Sequence, residues 1–103
     1  MSHNERRRQL RYACKINVVI GWGSNMLSGI ARDLSAEGMF VETRDPLWLR
    51  AEFTARLSLP EPIEVDCVVK RVVPGQGMGV QFKDLPEAEQ EQVDILVRKL
   101  AAQ

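Results

Sequence analysis

Arg7 and Arg11, four positions apart, and Asp33, Ser35 and Gly38 further along are the residues of this chain whose types and spacing suit a ligand. Each guanidinium is a fixed cation with a planar fork of donors, matched to phosphate oxygens and to the O6/N7 edge of guanine. A carboxylate can accept from the guanine N–H donors, a hydroxyl can add a hydrogen bond, and a glycine permits close approach. An anionic guanine nucleotide fits that inventory. Enzymatic chemistry is poorly served. The single histidine, His3, lies near the start of the chain, and no nucleophile–base pairing is evident, so the chain is not expected to be an enzyme. Cys14 and Cys67 lack a CxxC spacing, which leaves no zinc ligand set, and both are expected in or near the core. Neither a metal nor a resident cofactor is expected.

The charge distribution sharpens the reading of the arginines. The formal net charge is zero, yet Arg6, Arg7, Arg8 and Arg11 face only Glu5 within the first eleven residues. The sequence thus sets a basic leader against a mildly acidic body. Such a leader is either a solvated tail or an anion clamp. At 103 residues, 45% hydrophobic and 27% charged, the chain has the size and composition of one soluble globular domain. No apolar run approaches the roughly 18 residues that span a bilayer, and no secretory signal pattern opens the chain. A cytoplasmic protein without membrane insertion is the expectation.

The elements that must position these side chains follow from periodicity. Ile16, Val18 and Ile20 alternate with Lys15, Asn17 and Val19, the period-2 signature of a strand, and Gly21–Asn25 reads as a turn. Leu27–Asp33 and Met39–Thr43 continue in extended form. Phe53, Ala55, Leu57 and Leu59 line one face of a fourth strand. Ile63, Val65, Cys67 and Val69 line a fifth, and the turn Pro74-Gly75-Gln76-Gly77 leads into Met78, Val80 and Phe82. The lone Gly75-x-Gly77-x-Gly79 is flanked by strands, so it reads as a hairpin rather than a phosphate cradle. Six short strands without room for crossover helices predict an antiparallel barrel or sandwich. From Glu87 the period changes. Val93, Leu96, Val97 and Leu100 form a helical stripe, predicting one helix over 86–101 with a capping box at Asp84 and Glu87. Trp22 and Trp48 are expected as partial cover for the core.

On its own, Asp33-x-Ser35-xx-Gly38 would be an Asx or Ser turn closing a hairpin. Paired with the upstream arginines it carries more. Arg7-Arg8-Gln9-Leu10-Arg11 followed by Asp33-Leu34-Ser35-Ala36-Glu37-Gly38 resembles the RxxxR and D/NxSxxG motifs of PilZ domains. Residues 31–43 resemble that family's second and third strands, and Gly77–Phe82 its last strand before the C-terminal helix. The likeness covers roughly residues 5–100. It implies a mainly β fold: a six-stranded antiparallel split barrel with a C-terminal α-helix. The arm, residues 1–12, is expected to be flexible, and 13–103 to form the barrel domain. It also implies that the chain binds the bacterial second messenger cyclic di-GMP. By that resemblance Arg7 and Arg11 would hold phosphates and a guanine Hoogsteen edge, with Arg8 as an auxiliary contact. Asp33 would accept from N1–H and N2–H₂, Ser35 would add a hydrogen bond, and Gly38 would leave room for the base.

Several functions compete on this sequence. The leading expectation is a cyclic di-GMP receptor that relays its state to an unidentified downstream protein through arm ordering and changed surface charge. The alternative is a PilZ-like protein-interaction adaptor that does not bind nucleotide. A nucleic-acid polymer is not an expected partner, because such grooves want a basic surface and stacking platforms, and aromatics make up only 6% of the chain. Lys70 and Arg71 are expected as solvated strand charges, one of which could reach a ligand phosphate.

Overall fold

The computed structural model describes residues 10–103, and among these residues lie six strands and one helix. The strands are β1 (Tyr12–Trp22), β2 (Asn25–Leu34), β3 (Gly38–Glu42), β4 (Glu52–Leu57), β5 (Ile63–Val73) and β6 (Gly77–Phe82). They close into a barrel in the order β1-β2-β3-β6-β5-β4, and every neighbouring pair is antiparallel. Closure pairs each of these six strands on both sides, so among the described residues no sheet edge remains exposed.

The alternation seen in the sequence decides which side chains fill the interior. Val18 and Ile20 of β1, Ala55 and Leu57 of β4, and Val65, Cys67 and Val69 of β5 are buried, while their odd-step neighbours face outward. Met39 and Val41 enter from β3, and Met78 and Val80 from β6. Two-residue hairpin geometry joins β1 to β2, where Trp22 pairs with Asn25 and Gly23 takes a positive φ of 58°. Gly75 does the same service at 73° between β5 and β6, as the hairpin reading required. β4 ends at Leu57, two residues before the expected Leu59, because Pro60 cannot donate to a ladder and the chain already turns at Leu59.

The helix α1 (Glu87–Ala101) lays the predicted stripe on β1 and β5. Val93 is fully buried, and Leu96, Val97 and Leu100 pack against the core. Glu87 and Glu89 sit at the positive end of the helix dipole, Arg98 and Lys99 at the negative end. The expected capping box does not form. Pro86 occupies the N-cap in an extended conformation, and no side chain caps the helix. Asp84 stands two residues earlier at φ 47°, a left-handed bend that places it outside the cap position. The tryptophans divide. Trp22 packs against the core as expected, whereas Trp48 is 55% exposed and meets Trp22 edge to face with ring centroids 4.9 Å apart.

Cys67 is fully buried in β5, and burial, helped by the nearby Asp66 carboxylate, pushes its thiol up to about 12. In the unfolded chain the thiol ionises near its ordinary 9.0. Between those values the unfolded state binds fewer protons than the folded one, so stability declines as pH rises. By pH 10 the expected loss from this thiol is about 1.4 kcal/mol. Urea denaturation at pH 8 and pH 10 measures it, and a Cys67→Ala variant is expected to show a correspondingly shallower alkaline decline. The second thiol, Cys14, is half-buried and is also raised, by burial first and by Asp33 second. Its contribution runs in the same direction.

Candidate functional site

Three interruptions of the strand ladders build the site. An extra residue on β1 breaks its register with β2 between Ala13 and Ile16. Arg32 is the extra residue on β2 opposite β3, and Lys70 the extra residue on β5 opposite β6. Bulges of this kind bend a strand and re-aim the side chains beside them. Their effect here is a single row of paired residues across the sheet. Ala13 opposes Asp33, Asp33 opposes Phe40, Phe40 opposes Gly79, and Gly79 opposes Arg71.

Asp33, Phe40, Gly79 and Arg71 of that row line a cavity of about 560 Å³, within the size range of small-ligand sites. Arg11, Lys70 and Arg71 supply positive charge to its lining, Asp33 and Glu37 negative charge. Arg11 leads into β1 and donates from Nη1 to Asp33 Oδ1 at 2.7 Å, joining two residues 22 apart in sequence. The Phe40 backbone N–H donates to the same oxygen at 3.2 Å. Both bonds land on Oδ1, so Oδ2 keeps acceptor capacity for a ligand. The Arg11 and Asp33 side chains are 48% and 33% exposed. Exposed ion pairs of this kind contribute at most about 1 kcal/mol, so a ligand can reorganise this one at small cost.

Ser35 and Gly38 both line the cavity and also hold the turn beside it. Ser35 is buried. Its Oγ accepts from the backbone N–H of Glu37 at 3.2 Å and of Gly38 at 3.1 Å, and donates to the Gly38 carbonyl at 3.3 Å. Both acceptor positions and the proton are thereby used within the turn. The hydroxyl holds the bend between β2 and β3 that presents Asp33. At Gly38 a Cβ would lie 2.2 Å from the Val80 carbonyl oxygen. The close approach of the β6 backbone requires glycine there. Arg7 and Arg8 lie outside the described residues.

Phe40, Gly79 and Gln81 also line the cavity and were not read as site residues from the sequence. Phe40 carried a signal. Met39 and Val41 had to point inward, which turned an aromatic ring outward directly after the Asp33–Gly38 turn. The Arg71 guanidinium sits 5.7 Å from the centroid of that ring. Among the described residues no cluster of His, Cys, Asp or Glu could hold a metal ion, and no helix is long and apolar enough to cross a membrane.

The sequence model of the PilZ domain matches residues 5–99. The chain belongs to the PilZ family. Solved structures agree on the fold. The PilZ domain of YcgR from Escherichia coli, determined with c-di-GMP, superposes with a TM-score of 0.75 at 17% identity. That match covers 94% of this chain and 92% of the other. The PilZ domain of CeSA, from a cellulose-synthesizing bacterium, gives 0.74 at 24% identity over 90% of this chain and 99% of that one. Bacillus subtilis MotI/DgrA, an inhibitor of motility, gives 0.74 at 21% identity. The PilZ domain described here covers 94% of its own length in that match but only 52% of the MotI chain. No curated protein sequence matches.

Proposed function

We propose that this PilZ domain is a receptor for cyclic di-GMP and not an enzyme, acting in the cytoplasm on a downstream protein partner. One observation carries the reading. Two motif halves far apart in sequence meet at 2.7 Å, Arg11 on Asp33, at the rim of a cavity large enough for a nucleotide. The family supports it, since PilZ domains are regulatory receptor domains and the YcgR relative was determined with the ligand in place.

In this reading Arg11, with Arg7 and Arg8 from the leader, takes the two phosphates and a guanine O6/N7 edge. Asp33 accepts from guanine N1–H and N2–H₂ through its remaining acceptor capacity. Ser35 and Gly38 belong to the site by shaping the turn that carries Asp33. Each charge-assisted hydrogen bond contributes about 1.5–3 kcal/mol, so four or five of them supply about 6–15 kcal/mol against the roughly 8 kcal/mol of a micromolar ligand. Wrapping the leader ahead of Arg11 around the nucleotide subtracts several kcal/mol, which sets the affinity at about micromolar or somewhat tighter. The signal to the partner is the ordered leader together with the changed charge around the cavity.

Calorimetric titration tests this directly. Cyclic di-GMP is expected to give saturable heat with the wild-type chain and none with an Arg7→Ala, Arg11→Ala variant. Absence of heat from the wild type would favour an adaptor that recognises protein alone.

A further inference from the structure

We infer that Arg71, seated over Phe40, forms a wall against which a guanine of the ligand stacks, so that β5 contributes a binding residue outside both motifs. The inference rests on the cyclic di-GMP reading and deepens it. Four residues of the cross-sheet row bear on it: Asp33, Phe40, Gly79 and Arg71, on β2, β3, β6 and β5. With strands about 4.8 Å apart, the row is roughly 14 Å wide. An arginine with only solvent to satisfy would extend away from the sheet. Arg71 reaches back over β6, bringing its guanidinium 5.7 Å from the Phe40 ring, while Phe40 itself donates its N–H to Asp33.

The residue between lies beneath the arginine. A Cβ added at Gly79 would be 3.6 Å from both Cβ and Nε of Arg71, an ordinary packing distance, so the Arg71 side chain runs directly over β6 at this point. The bulge at Lys70 is what brings Arg71 into register with Gly79. A planar guanidinium held above an aromatic ring is a ready stacking surface for a base, because its weakly hydrated face is already desolvated on one side. A base whose N–H edge meets Asp33 lies over Phe40, within reach of that face.

Charge alone and stacking predict different results, because lysine keeps the charge and lacks the plane. Titration of cyclic di-GMP against wild type, Arg71→Ala, Arg71→Lys and Phe40→Leu separates them. The expected outcome is about tenfold weaker binding in Arg71→Ala, little recovery in Arg71→Lys, and a melting temperature unchanged in both. Phe40→Leu is expected to weaken binding as well, and the Arg71→Ala, Phe40→Leu double variant to be no weaker than the weaker single variant, as for two residues acting as one unit. Wild-type affinity in Arg71→Lys would overturn the stacking wall in favour of a plain cation. Unchanged affinity in Arg71→Ala, with the wild type binding, would overturn the inference and leave the receptor reading intact. A wild type that does not bind would overturn both.

Discussion

Replacing Asp33 with alanine is expected to weaken cyclic di-GMP binding by at least about 100-fold, equivalent to about 3 kcal/mol, while lowering folding stability by no more than about 1 kcal/mol. The asymmetry follows from where Asp33 stands. Its carboxylate is one-third exposed, its ion pair with Arg11 is half in solvent, and its hydrogen bond from the Phe40 N–H is only partly buried. Water replaces an acceptor at such a position with little net loss. A bound guanine offers no such exchange. Its N1–H and N2–H₂ are sealed from water once the base covers Phe40, and each unpaired donor then costs its full desolvation. Calorimetric titration and urea denaturation of the same variant give both quantities. Equal losses in binding and stability would make Asp33 a turn residue and nothing more.

The same residue shows what was legible in the sequence and what was not. Period-2 alternation placed the six strands, and the change to a helical stripe placed α1, because burying one face of each element leaves an imprint in residue order. The turn at Asp33–Gly38 was legible for a similar reason, since a Ser hydroxyl bonding two residues onward is a local event. Events between distant strands were not. The start of β1 at Tyr12 rather than Lys15 was hidden by the bulge near Cys14, which breaks the alternation that would have marked it. The failed capping box is of this kind too. Asp84 and Glu87 have the right spacing, but a backbone bend at Asp84 moves the helix start to Pro86.

The cavity itself depends on the barrel closing. β3 and β6 are joined only through the intervening β4 and β5, and it is their pairing that sets Phe40 beside Gly79 and so within reach of Arg71. Sequence spacing offered Lys70 and Arg71 as two equivalent charges. The bulge at Lys70 makes them different: it leaves Lys70 without a partner in the β6 register and puts Arg71 opposite the glycine over which it reaches.

Closure also explains why Gly38 tolerates nothing larger, and Gly38→Ala is the second change expected to have a large effect. Its added methyl would stand 2.2 Å from the Val80 carbonyl oxygen and 3.2 Å from the carbonyl carbon, both backbone atoms of β6. A flexible side chain could move aside; a paired strand cannot do so without loosening its ladder. A Cβ added at Gly77, at the other end of the same strand pair, would likewise run into the Val41 carbonyl oxygen, so the β3–β6 seam is held tight at both ends by glycines. Overpacking of this kind costs about 3 kcal/mol, a large share of a small domain's stability. Gly79→Ala provides the contrast. Its Cβ would make only ordinary contacts with Arg71 at 3.6 Å, so a loss below about 1 kcal/mol is expected despite the same chemical change three residues from Phe82 in the neighbouring strand. Urea denaturation of the two variants side by side measures the difference. Comparable stability in both would mean that β3 and β6 do not approach closely at Gly38, and the turn that presents Asp33 would lose its anchor on the barrel.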